Sequence, residues 1–203
     1  TFTFKASDKP AKGDVSVSGG KGDLTKKATI EVVDPATLSV DLSGWSLVQT
    51  SADRTFTFPK GTTITPGGYL VIARKSPKAT FEAFWKVTLA SNVVFIDSND
   101  KGGPSINGDE TFTLKDATGK VIDGPTIKLE KGSKANYQRK LPVTKAGDAA
   151  SWTAAGQDPG TTTPGAGQKG TAGQSTPYIS EFSDASGTGA FVIEFVEIHV
   201  PLG

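Results

Sequence analysis

Few residues in this chain could do chemistry. The single histidine, His199, stands between Ile198 and Val200 in the closing run AFVIEFVEIHVPLG, 190–203. One histidine rules out a multi-histidine metal cluster and leaves any serine triad dependent on that residue. No G-x-S-x-G elbow is present. Its alternation with apolar neighbours reads as a solvent-facing strand position. Glu194 and Glu197, with Glu181, would suit paired-carboxylate acid–base work. A strand sends 194 and 197 to opposite faces, so they read instead as charges that protect a sheet edge.

The stretch FIDSNDKGGPSINGDE, 95–110, offers Asp97, Asn99, Asp100 and Asp109 as oxygen ligands of the kind calcium takes. It departs from the EF-hand pattern, with Lys101 at a ligand position and Gly108 where a glutamate is needed. An acidic turn-rich loop is the better reading, and no metal or other cofactor is expected. GKGD at 20–23 and GTTTPGAG at 160–167 lack the Gly-Lys-Ser/Thr of a phosphate loop and read as turns. QRK at 138–140 reads as a solvated strand end. The chain has no cysteine, which excludes disulfides, thiolate metal sites and cysteine nucleophiles. No catalytic constellation emerges, and an enzyme is not expected.

The elements that would carry these residues are short strands. Alternation of period two marks TFTFKA at 1–6, DVSVSG at 14–19, ATIEVVD at 28–34, LSVDLSGWSLVQT at 38–50 and RTFTFPKG at 54–61. It continues through GGYLVIAR at 67–74, NVVFID at 92–97, ETFTLKDATGKVIDG at 110–124 and PTIKLEKG at 125–132. Gly, Pro, Asn or Asp bounds each run, the spacing of an all-β sandwich or barrel. DATG at 116–119 predicts a hairpin turn, and Pro66-Gly67 in TPGG predicts a type II turn. In SPKATFEAFWKVT, 76–88, Phe81, Phe84 and Trp85 fall at helical spacing behind Ser76-Pro77. This predicts one short helix lying across the mouth of the sheets.

The run 156–177 is rich in Gly, Thr and Pro with almost no apolar side chains, and reads as a linker. Beyond it, YISEF at 178–182 and FVIEFVEIHV at 191–200 read as strands. The expected organisation is therefore an N-terminal arm at 1–27, a β domain at 28–155, a linker at 156–177 and a two-strand extension at 178–203. With 22 basic and 21 acidic residues, the chain has no global field to draw nucleic acid or an anionic membrane. No run approaches the ~18 apolar residues of a membrane-spanning helix, so no membrane insertion is expected. A chain that opens at Thr1 reads as processed or trimmed, and removal of a secretion signal would account for it.

VDLSGWSLVQT at 40–50 and FTFPKGTTITPGGYLVIAR at 56–74 resemble the lamin-tail domain family. INGDETFTLKDATGKVIDG at 106–124, NYQRK at 136–140 and SWTAAG with TTTPGAG at 151–167 resemble its later blocks. The resemblance implies an immunoglobulin-like β-sandwich. Leu42, Trp45 and Leu47 would then be core around a kink at Gly44, with Trp45 a plug between sheets. Tyr69, Val71, Phe112 and Leu114 would pack from facing strands. The family's opening pair, an Ile-Ser-Glu strand and a Glu-Phe-Val-Glu-Ile strand, stands here at the C-terminus, in YISEF and IEFVEIHVP. A weaker copy, TIEVVDP at 29–35, occupies the usual place.

Three arrangements would explain the displacement: the start of a further tandem repeat, a circular permutation that closes on its own sandwich, or donation to a neighbouring subunit. Val192, Phe195, Val196, Ile198 and Val200 left in water would each forgo about 1.5–3 kcal/mol, so these strands must pair with something. The sequence expectation is a structural subunit of an extracellular or cell-surface homopolymer whose partners are copies of itself. Its assembly strands would carry Tyr178, Ile179, Phe182, Phe191, Val192, Phe195, Val196, Ile198 and Val200, with Phe2 and Phe4 on the N-terminal arm. The competing expectation is a monomeric, self-completed binding or targeting module of a larger secreted protein.

Overall fold

A computed structural model describes residues 39–51, 53–128, 135–156, 161–167, 175–184 and 192–202. The expectations placed on the arm at 1–27, on the strands at 14–19 and 28–34, and on Phe2, Phe4 and Phe191 lie outside the described residues. All the described residues belong to one unit, Val33–Gly203.

The strands are β1 (Val40–Asp41), β2 (Ser46–Gln49), β3 (Arg54–Thr57), β4 (Thr63–Ile64) and β5 (Tyr69–Ala73). Helix α1 (Lys78–Trp85) follows, then β6 (Val93–Asp97), β7 (Phe112–Lys115), β8 (Val121–Asp123) and β9 (Ala135–Arg139). After β10 (Trp152–Gly156) come β11 (Tyr178–Ser183) and β12 (Phe195–His199). They form a six-stranded sheet in the order β10-β9-β11-β12-β5-β6, a four-stranded sheet in the order β3-β2-β7-β8, and a β1-β4 pair. Every pairing is antiparallel except β5 with β6, which the α1 crossover joins in parallel. The fold is an immunoglobulin-like β-sandwich arrangement with one short helix.

Alternation builds the core. Leu47, Phe56, Phe112 and Leu114 of the smaller sheet meet Leu70, Ile72, Ile179, Phe182, Val196 and Ile198 of the larger one. Phe182 is the hub, with ring centroids 5.6 Å from Phe112, 5.0 Å from Trp152 and 5.5 Å from Tyr137. Leu42 is buried in the same core, but Trp45 is only partly buried and packs on its flank rather than plugging the gap between sheets. Tyr69 and Val71 are buried core residues as expected, but of a second cluster. They alternate with Leu70 and Ile72, so they face the outer side of the large sheet, away from the second sheet.

That outer face has its own cover. Phe81 and Trp85 of α1 pack on Val71, Ala73, Val93 and Phe195, so the helix lies on the face of the sheet rather than across its mouth. The Phe195 ring sits edge-on to both, 5.5 Å from Phe81 and 5.4 Å from Trp85. Trp85 Nε1 donates to the Ile193 carbonyl at 3.1 Å. The helix stops at Lys86, which adopts the left-handed conformation at φ 54°.

The predicted type II turn forms: Gly67 has φ 76° and the Gly68 amide donates to the Thr65 carbonyl at 2.9 Å. The strand predicted from Pro125 does not form across 125–128. Gly124 at φ 100° turns the chain, and Thr126 then clips to Phe112 through its amide and its hydroxyl.

Candidate functional site

The terminal strands β11 and β12 are not an edge. They form a hairpin in the middle of the large sheet, between β9 and β5. Tyr178, Ile179, Phe182, Phe195, Val196, Ile198 and Val200 are buried, and Val192 is partly buried. Every position of both strands is buried, because the second sheet covers one face and helix or loop covers the other. A strand covered on both faces reads as a nearly continuous apolar run, and this explains the composition of 192–200.

Two connections hold the hairpin at its start. Asp123 Oδ2 accepts from the Ile179 amide at 2.9 Å, and Arg139 Nη1 donates to the Ile179 carbonyl at 3.3 Å. The guanidinium also grips both oxygens of Asp123, at 3.1 and 3.2 Å, and lies 4.8 Å over the Trp152 ring. Arg139 is 1% exposed. The basic cluster at 138–140 is therefore no solvated strand end at this position. Its charge is an internal clamp between the two sheets.

Glu181 and Glu197 sit on the outer face, Glu194 lies beside Ile106 of the inter-sheet core, and none marks an edge. Glu194 Oε1 accepts from Arg74 Nη1 at 2.7 Å, and its Oε2 accepts from the Ile106 amide at 2.7 Å. Burial pushes its carboxyl up to about 8 while the Arg74 contact pulls the other way. Glu181 and Glu197 oppose each other across the hairpin, both buried. Their spacing in sequence hid this, since only the hairpin register makes them neighbours. Among the described residues neither has a cationic partner within ion-pair distance.

Their partners come from 161–167, part of the segment that reads as a linker. The Thr163 amide and hydroxyl donate to Glu181, at 3.0 Å to Oε1 and 2.8 Å to Oε2. Asn136 Nδ2 donates to Oε1 as well. The Gly165 amide donates to Glu197 Oε2, and Ser180 Oγ donates to Oε1 at 2.6 Å. Tyr69 Oη donates to the Gly167 carbonyl at 2.8 Å, and Gln138 Nε2 donates to the Thr161 carbonyl at 3.0 Å. The segment is thus a strap across the hairpin, anchored mainly by backbone groups and the Thr163 hydroxyl. Glycine is required for its closeness. Gly165 has φ 78°, and a Cβ there would lie 2.8 Å from Leu89 Cδ2.

His199 is also inside. Its ring lies 4.5 Å from that of Tyr69 and 5.5 Å from that of Tyr178, and it is 1% exposed rather than solvent-facing. Burial lowers its pKa to about 4, partly opposed by a hydrogen bond with the Gly68 backbone. Burial also raises both tyrosines, Tyr178 to about 12. Burial raises Glu181 and raises Glu197 further, the second also by the charge of the first.

The proposed calcium ligands do not converge. Asp100 is held by Arg54 at 2.6 Å and Arg74 at 3.1 Å. Asp97 caps its own turn through the Asn99 amide at 2.8 Å, and Asp109 Oδ1 accepts from Ser51 Oγ at 3.4 Å. Glu110 closes the Asn-Gly-Asp turn by accepting from the amides of Asn107, Gly108 and Asp109 at 3.0, 2.9 and 3.1 Å. No group of three or more acidic, histidine or cysteine residues suited to a metal occurs among the described residues.

The architecture is that of a β-sandwich module built for packing, with buried charge used for fastening. The family model for the Lamin Tail Domain matches residues 8–128, more than half of the chain, and the chain belongs to that family. No curated protein and no solved structure matches it. Domains of this type are structural and non-catalytic. No helix among the described residues is long and apolar enough to cross a membrane.

Sequence reasoning missed Asp123, Asn136, Arg139, Thr163 and Gly165. Each acts through a partner distant in sequence, and no local spacing marks them.

Proposed function

We propose that this chain is a structural module of an extracellular or cell-surface assembly, and that the β11–β12 hairpin is its exchangeable joint. Closed on itself, the hairpin completes the chain's own sheet. Donated to a second copy, the same hairpin makes the same contacts there and links subunits head to tail into a homopolymer.

The observation that carries this reading is the hairpin's position. It is an interior element with ladders on both flanks, placed after a Gly/Thr/Pro-rich stretch, 156–177. Such a piece can leave and be replaced by an identical piece at little net cost in contacts. The balance of 22 basic and 21 acidic residues favours neither nucleic acid nor an anionic surface as partner. The surface location rests on the composition of 156–177 alone. A self-completed monomeric binding module is the second reading, favoured by the closure of the hairpin within one chain.

The absence of cysteine gives a direct test. The Lys75 amide donates to the Val192 carbonyl at 2.9 Å, which makes these positions neighbours across the joint. In an oxidised equimolar mixture of the single variants K75C and V192C, exchange produces covalent K75C–V192C dimers. The double variant then yields crosslinked ladders at high concentration. A double variant that closes only on itself, with no heterodimer from the mixture, would sink the exchange reading and leave the monomeric one.

A further inference from the structure

The strap and the glutamate pair beneath it have a chemistry of their own. Glu181 and Glu197 lie on opposite strands of the exchangeable hairpin, and the strap supplies hydrogen bonds to both. Glu181 accepts from an amide nitrogen of the strap, a hydroxyl and the Asn136 amide group, so its oxygens are saturated with donors. Glu197 has one backbone donor and the Ser180 hydroxyl, which can accept as readily as donate. Burial raises both carboxyls, and the charge of Glu181 raises Glu197 as well, so Glu197 is the member of the pair that holds a proton more readily.

Among the described residues no cation stands within ion-pair distance of the pair. Tyr69 from β5, Tyr178 from β11 and His199 from β12 face the same region, and all three are neutral near pH 7. Gln138 and Asn136 from β9 are neutral amides, and the strap sequence TTTPGAG carries no charge. On the α1 side the neighbours are apolar, Val71 and Phe195. The buried cation Arg139 is clamped on Asp123.

We propose that strap and pair form a proton-operated latch on the hairpin: with Glu197 protonated the strap seals the hairpin into its own sheet, and loss of that proton opens the strap. Two ionised carboxylates in a dry site repel each other, and lifting the strap lets water reach both. The strap is the cover that yields, because polar contacts to 161–167 hold it while helix α1 is held by aromatic packing. The sign follows from linkage. The closed state holds the Glu197 proton more tightly than the open, hydrated state does. Closure is thus strongest below the ordinary glutamate range and weakens as pH rises, by up to tenfold per pH unit for one proton. The link to assembly rests on the exchange reading; the latch itself does not.

The experiment is amide hydrogen exchange on the intact chain from pH 5 to pH 9, corrected for the intrinsic pH dependence of exchange. Protection at Thr163 and Gly165 should fall at least tenfold across this range in the wild type, while the core amides of β2 and β7 hold theirs. Glu197→Gln, which keeps an acceptor for Gly165 and cannot ionise, should hold its strap protection constant. Equal loss in wild type and variant, or no loss in either, would overturn the latch. If the variant does not fold, carboxyl-carbon NMR of the wild type decides: one glutamate must titrate far above the ordinary range in step with the Gly165 amide, and its absence would overturn the latch. Particle size on the same samples reports exchange separately. A latch that opens without growth of particles refutes the assembly reading and leaves the latch standing.

Discussion

The outer face of the large sheet has two covers, and they work in opposite ways. Helix α1 covers the half that carries Val71, Ala73 and Phe195, and it does so with two aromatic side chains. The strap 161–167 covers the half that carries Glu181 and Glu197, and it does so mainly with amides, a hydroxyl and a carbonyl. An apolar cover gains by excluding water and is indifferent to pH. A polar cover must match the charge state of what lies under it, because an unmatched buried charge is costly. One sheet face thus combines a permanent seal with a conditional one. The strand β12 runs under both, with Phe195 beneath the helix and Glu197 beneath the strap.

The contrast can be broken most severely under the helix. Trp85→Ala removes a ring packed on Phe81, Phe84 and Phe195 and a hydrogen bond to Ile193. Chemical denaturation should show a loss of about 3–5 kcal/mol, equal at pH 5 and pH 8. A pH-dependent loss would mean that the two covers are coupled.

On the polar half, acid should act through His199. Its pKa is lowered to about 4 from the ordinary value near 6.5, so the neutral ring is the one that fits. The stability it contributes is complete above pH 6.5 and is lost as pH falls through 4, on the order of 2–3 kcal/mol. Melting of wild type against His199→Gln across this range checks it, since the variant should lack that acid limb. With Glu197 acting in the other direction, the region should be most stable between the two limbs.

The smallest effect is expected at the strap itself. Thr163→Val keeps the shape and deletes the hydroxyl that donates to Glu181 and accepts from Gln138. A cost of about 1–2 kcal/mol is expected. It should appear first as lost amide protection at Gly165, with the β2 and β7 amides little changed.

The fold was largely legible because alternation is a local property. Leu47 and Phe112 announce their side of the sheet by spacing alone. The type II turn at Pro66-Gly67 and the helix with Phe81 and Trp85 were readable for the same reason. Trp45 stands just before β2 and packs on the core only partly buried, whereas a large aromatic suggests a plug. Tyr69 and Val71 are core as expected, but under the helix side of the sheet, because the pattern marks two faces and does not say what covers each. The strap was unreadable: with hardly an apolar side chain, its hold comes from one hydroxyl and from backbone groups that every sequence possesses.

By itself, then, the sequence determined the strand periods, the turns, the family and the need of 190–200 for a partner. Those follow from side-chain type and spacing, which act within a few residues. Only the tertiary structure decided that this partner can be the chain's own sheet. It alone made Glu181 and Glu197 neighbours, turned Arg139 into a clamp and placed His199 inside. Those outcomes depend on hairpin register and on which loop crosses which face, contacts between residues far apart in the chain that no local pattern encodes.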